Sequence, residues 1–113
     1  MDKYKVVFQI DEEERVGLAL QNITNLINDI GVGNLEIEMV SKGEAVKSLV
    51  KGSIFDRSFE ELAKKQVKFC ACANTIRNLG IQKDKLFDFV TVVPSGVGEL
   101  VKRQAEGWAY IRP

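Results

Sequence analysis

The stretch Val67-Lys68-Phe69-Cys70-Ala71-Cys72-Ala73-Asn74-Thr75 runs an apolar strand directly into residues that open a helix. A strand passing straight to a helix is the repeating unit of an α/β chain. The junction also holds both cysteines of the protein. A helix start presents unpaired backbone N–H groups and the positive end of the helix dipole, and both favour a thiolate over a thiol.

Upstream of this stretch the alternation repeats. Val6, Val7, Phe8 and Ile10 predict a first strand, and Val16, Leu20, Ile23, Ile27 and Ile30 predict an amphipathic helix. Asp11 with Glu14 reads as a capping box, and Gly31-Val32-Gly33-Asn34 ends the helix. Leu35, Ile37 and Met39 alternate with Glu36 and Glu38, the pattern of a strand with one wet face, at a sheet edge or beside a loosely packed cover. Glu44 to Val50 reads as a short helix, Lys51-Gly52-Ser53 as a loop, and Ser58 to Lys65 as a helix opened by a Ser58/Glu61 capping box.

Downstream, Ala73 to Leu79 predicts a helix ended by Gly80, and Phe89 to Val93 a buried strand stopped by Pro94. Ser95 caps the next helix, which places Val97, Leu100, Val101, Gln104 and Ala105 on one face. Gly107 breaks it, and Trp108-Ala109-Tyr110-Ile111 forms a last strand. Five rounds of strand and helix imply parallel pairing through right-handed crossovers, hence a three-layer α/β/α sandwich around a five-stranded, mainly parallel sheet. At 113 residues and 45% hydrophobic composition, one domain over residues 1–113 is the expectation.

Sixteen basic residues balance sixteen acidic ones, which removes any net field toward nucleic acid or an anionic membrane and does little to oppose self-association. The chain has no histidine, which excludes Ser-His-Asp and Cys-His relays and the usual mixed zinc sites. No metal or cofactor is expected. Two cysteines one residue apart would close a small, strained ring, so both are expected to be reduced. Met1-Asp2-Lys3-Tyr4-Lys5 leads into the first strand without a signal-peptide pattern, so a cytoplasmic protein is the expectation.

In a parallel sheet, function collects at the carboxyl ends of the strands, which leaves three junctions to weigh. At the first, Asp11-Glu12-Glu13-Glu14 would repel a phosphate, and helix capping explains the carboxylates without a catalytic role. At the fourth, Pro94-Ser95-Gly96-Val97-Gly98-Glu99 offers a capping serine, and Gly96 and Gly98 would let a small anion approach the backbone. This turn is a candidate lining of a shared pocket. At the third, Cys70 lies within the strand as a packable thiol, while Cys72 falls where strand becomes helix and its sulfur faces first-turn N–H groups. Transfer between sulfurs needs a thiolate and a good leaving group but no histidine, so the composition favours sulfur relay over acyl transfer.

These residues resemble the DsrE/DsrF-like sulfur-relay family. The resemblance is carried by Val67 to Thr75 with Gly80-Ile81, by Val92-Val93-Pro94-Ser95-Gly96-Val97-Gly98-Glu99-Leu100, and by Gln104-Ala105-Glu106-Gly107-Trp108-Ala109-Tyr110-Ile111. It implies the parallel sheet, a homo-oligomer that is a trimer or hexamer, and a cysteine that carries sulfane sulfur as a persulfide. Cys72 matches that cysteine, with Asn74 and Thr75 shaping the site and donor and acceptor proteins as partners. Asn74 hydrogen-bonds the sulfur or caps the helix, and the N–H groups of Ala73 and Asn74 hold the persulfide anion. Two other readings stand beside this one. In the first, the chain is a non-catalytic oligomeric domain that binds a small anion or a protein, with both thiols structural and Trp108 and Tyr110 at core or interface. In the second, Cys70 serves as a secondary, resolving thiol in redox work.

Overall fold

The computed structural model describes residues 2–113; Met1, part of the N-terminal stretch read above, lies outside the described residues. In chain order the elements are β1 (Tyr4–Ile10), α1 (Val16–Ile30), β2 (Leu35–Ser41), a 3-10 segment (Gly43–Leu49), α2 (Asp56–Lys64), β3 (Lys68–Cys72), α3 (Ala73–Leu79), β4 (Val90–Val93), α4 (Gly96–Ala105) and β5 (Ala109–Ile111). The strands form one sheet in the order β4-β3-β2-β1-β5, and every neighbouring pair is parallel. The expected α/β architecture with a five-stranded sheet is what the chain adopts.

Strand order decides the layers. The crossovers from β1 through β4 all step in one direction, so right-handedness places α1, α2 and α3 on one face. The last crossover returns past β1 to β5, and α4 therefore covers the other face. The larger core lies on the three-helix side, where Phe8, Ile10, Met39 and Phe69 of the sheet meet Ile23 of α1 and Phe59 of α2. Phe59 packs edge-on to Phe69 with ring centroids 5.0 Å apart. Burying a side chain of this size contributes about 2 kcal/mol. The smaller core, under α4, comprises Val7, Val40, Cys70, Val93, Leu100 and Trp108.

Long-range packing changes several of the sequence expectations. β2 lies between β1 and β3 at the centre of the sheet and is no edge strand. Its Glu38 is only 1% exposed because α4 covers it, whereas Glu36 remains exposed. β4, expected to be buried, is an edge strand of mixed exposure beginning at Val90. On α4 the inward residues are Gly96 and Leu100, while Val97 and Val101, both 60% exposed, look outward. Neither proposed capping box forms: α1 is preceded by a 3-10 turn, and Ser58 lies inside α2, which starts at Asp56. The segment read as a helix over 44–50 winds as the tighter 3-10 form. Gly80, at φ 68°, ends α3 as expected, in the left-handed region that glycine enters without strain. Trp108 is core, and Tyr110 is 40% exposed with its hydroxyl hydrogen-bonded to Gln9.

Candidate functional site

All five strands point their carboxyl ends at one edge of the sheet, so the segments that follow them meet there. β1 delivers Asp11, β2 delivers Lys42 and Gly43, β3 delivers Cys72, β4 delivers Ser95 and Gly96, and β5 delivers Arg112. A cleft of about 640 Å³ lined by Tyr4, Leu26, Ile30 and Leu35 opens at the opposite, amino-terminal edge and has no part in this assembly.

Cys72 is the residue on which these loops converge. It is the last residue of β3 and the N-cap of α3, with extended backbone (φ −72°, ψ 121°) and 6% exposure. Burial by itself raises the pKa of its thiol, but the N–H groups of Gly96, Thr75 and Asn74 and the Thr75 hydroxyl outweigh it, and the net shift is downward. Two helix starts thus act on one sulfur, α3 through Asn74 and Thr75 and α4 through Gly96.

Neighbouring loops fix these donors in place. The Thr75 hydroxyl oxygen accepts the Gly43 N–H at 3.0 Å, which leaves its own proton to turn toward the sulfur. Gly43 holds φ +58°, and a Cβ there would lie 3.1 Å from the Asp11 carbonyl oxygen, so this approach needs glycine. At Gly96 a Cβ would stand 3.3 Å from Lys42 Cβ and Cδ and 3.5 Å from Cys72 Cβ. The Lys42 stem and Cys72 therefore flank the same glycine. The Lys42 ammonium lies 3.7 Å from the Asp11 carboxylate, and Arg112 donates to both oxygens of that carboxylate at 3.3 and 3.2 Å.

Of the residues singled out from the sequence, Cys72, Thr75 and Gly96 come together. Asn74 contributes its backbone, while its side chain is exposed and accepts from Arg77. Ser95 and Gly98 act one step away: the Ser95 Oγ accepts the Gly98 N–H at 2.8 Å and caps α4. Replacing Ser95 with Ala should cost about 1 kcal/mol in urea unfolding, the usual worth of such a cap, and an unchanged midpoint would show that the cap contributes nothing. Cys70 faces the α4 layer, fully buried, and burial followed by the nearby Glu38 pushes its thiol up to about 12.

Asp11, Lys42, Gly43 and Arg112 were not legible as site residues, although each directly follows a strand or lies one position beyond. A second group was also hidden. Glu38 of β2, Glu99 and Arg103 of α4, and Cys70 of β3 meet beneath α4, with Arg103 Nε 3.0 Å from a carboxylate oxygen of each glutamate. Among the described residues, no helix is long and apolar enough to cross a membrane.

Comparison with known proteins agrees with the architecture. The structure of MTH1491 from Methanobacterium thermoautotrophicum, a protein of unknown function, is 45% identical and superposes with a TM-score of 0.92 over 98% of this chain and 100% of that one. The ychN protein of E. coli matches at 18% identity and TM-score 0.80 over the full length of both chains. BT1422 of Bacteroides thetaiotaomicron, also of unknown function, matches at 15% identity and TM-score 0.76 over 96% of this chain and 94% of that one. No curated protein matches the chain. The model of the DsrE/DsrF-like family matches residues 2–113, and with a near relative of the same fold at 45% identity, the chain belongs to that family.

Proposed function

We propose that the protein is a sulfur carrier in which Cys72 accepts sulfane sulfur and hands it on. In the first step the Cys72 thiolate attacks the terminal sulfur of a donor persulfide, R–S–S⁻. The Cys72–S–S⁻ persulfide forms, the donor S–S bond breaks, and the donor leaves as R–S⁻. A thiolate on an acceptor protein then attacks the outer sulfur, forming its own persulfide and releasing the Cys72 thiolate. Each step exchanges one S–S bond for another, so no external oxidant or reductant is consumed.

The observation that carries this reading is that the starts of α3 and α4 meet at Cys72, where the N–H groups of Gly96, Thr75 and Asn74 and the Thr75 hydroxyl bring the thiol pKa down against burial. Such donors stabilise an anion whether the negative charge sits on the thiolate or on the added sulfur. No general base is needed, which suits a chain without histidine. Membership of the DsrE/DsrF-like family agrees with a sulfur-relay role. Asn74 and Gly96 hold the anion through their backbones, Thr75 through its N–H and hydroxyl, and Ser95 and Gly98 keep the α4 start in place.

We also propose that the chain acts as a single domain in a homo-oligomer, a trimer or hexamer. Support comes from Val97 and Val101, four residues apart on α4 and both 60% exposed, on the sheet face that carries only one helix.

The test is intact mass after exposure to thiosulfate, polysulfide or a persulfidated donor protein, followed by a reductant. The wild type and Cys70→Ser should gain one reducible sulfur atom and Cys72→Ser none. Loading retained in folded Cys72→Ser would refute the assignment. No loading of the folded wild type by any donor would favour a binding domain whose thiols are structural.

A further inference from the structure

Beneath α4, Arg103 meets Glu38 of β2 together with Glu99 and Glu106. Arg103 Nε donates at 3.0 Å to Glu38 Oε2 and at 3.0 Å to Glu99 Oε2, while Arg103 Nη1 reaches Glu106 Oε1 at 3.0 Å. The guanidinium carbon also lies 4.9 Å above the Trp108 ring. The other oxygen of Glu38, Oε1, is buried with no hydrogen-bond partner. An orphaned carboxylate oxygen is costly, and two adjacent carboxylates are costlier still; one proton shared between Glu38 and Glu99 relieves both. The titratable and charged groups facing Glu38 are Glu99 and Arg103 from α4 and Cys70 and Lys68 from β3. From β1 the residue in register is the apolar Val7.

These contacts fall on the helix whose first N–H serves the reactive sulfur. Gly96 stands against Cys72, where a Cβ would lie 3.5 Å from Cys72 Cβ, and its N–H helps lower the thiol pKa; Glu99 lies about one turn further on and Arg103 about one turn beyond that. We infer that Glu38 is a positioning residue for the Cys72 site: by holding Glu99 and Arg103 it seats α4 so that the Gly96 N–H reaches the sulfur, and the proton shared by the two glutamates sets that seat. The inference rests on Cys72 being the working thiol. When the proton is lost, a second negative charge stands beneath α4 against Glu99, the helix start withdraws, and Cys72 loses a donor. Burial, then the contact with Glu99, pushes the Glu38 carboxyl up to about 7, which puts this loss in the neutral range.

The test is the rate of Cys72 alkylation by iodoacetamide from pH 5 to pH 9, with the modified cysteine located by peptide mass. Wild type should show the thiol inflection and a second one near neutrality. Glu38→Gln keeps the reach of the side chain and cannot ionise; it should lose the second inflection and keep the first. Glu38→Asp keeps the charge and shortens the reach; it should raise the thiol inflection by about one unit and slow alkylation at neutral pH about tenfold. A residue acting only through its charge would give the reverse ranking, with Asp like wild type and Gln displaced. That ranking, or Gln and Asp profiles that superpose on wild type, would overturn the inference. Should the Asp variant not fold, the Gln profile decides alone, since a retained second inflection has the same meaning. Alkylation uses no sulfur donor, so expected profiles with no sulfur loading would refute the carrier reading and leave this inference standing. Normal loading with unaltered profiles would do the opposite.

Discussion

Brief alkylation at pH 7 with limiting reagent should label Cys72 and leave Cys70 untouched. The two thiols share one strand and one sheet face, only two residues apart, yet their surroundings drive them in opposite directions. Cys70 is fully buried beside Glu38, and its thiol is pushed up to about 12, so at neutral pH about one molecule in 100,000 carries the thiolate there. Reagent must also wait for α4 to open before it meets that sulfur. Cys72 has its pKa lowered and lies at the sheet edge where the strands end. Selectivity should exceed about a thousandfold, since the protonation difference already supplies several decades before access is counted. In denaturant both thiols should react at similar rates, which serves as the control. Comparable labelling of both in the folded protein would mean that the N–H cage around Cys72 is absent in solution. The same treatment has a functional consequence: protein blocked at Cys72 alone should no longer take up sulfane sulfur.

The sequence carried the alternation of strand and helix and the place of Cys72, because both are local. An apolar run that ends at a helix start can be read from a dozen consecutive residues, and the N-cap position of Cys72 follows from it. What stayed hidden depends on residues far apart in the chain. Glu38 reads as a wet position because its neighbours alternate apolar and acidic, but Arg103, 65 residues later, gives it a partner under α4. The same crossover turns Val97 and Val101 outward, since Gly96 and Leu100 take the contacts with the sheet. Asp11 reads as a helix cap, the commonest use of an acid at that place, yet its carboxylate is held by Lys42 and by Arg112 from the far end of the chain. The rim of the site is thus assembled by strand order, which alternation alone does not reveal.

Glu38 should also make stability fall as pH rises through the neutral range. Its carboxyl moves from an ordinary 4.5 to about 7 on folding, chiefly through burial, next through contact with Glu99. Below pH 4.5 folded and unfolded chains both hold the proton, and this contribution is complete. Between 4.5 and 7 only the folded chain holds it, so each further rise in pH favours unfolding; above 7 the loss is complete. The full shift, net of Arg103 and Lys68, which both favour the ionised form, sets an upper bound of about 3 kcal/mol, and because part of that loss falls below pH 5 the expected loss between pH 5 and pH 8 is about 2 kcal/mol. Glu99 shifts the other way, and its stabilisation is lost at acid pH, outside this window. Urea unfolding of wild type and Glu38→Gln at pH 5 and pH 8 isolates the effect, because groups away from Glu38 cancel in the difference and Glu99, whose pKa is lowered, acts at acid pH. The variant should gain about 2 kcal/mol on the wild type between the two pH values. A difference that stays constant would mean that Glu38 is ionised throughout, with Arg103 carrying its charge. The proton would then have no hold on α4, and the seat of that helix over Cys72 would be fixed by the ion pair at every pH.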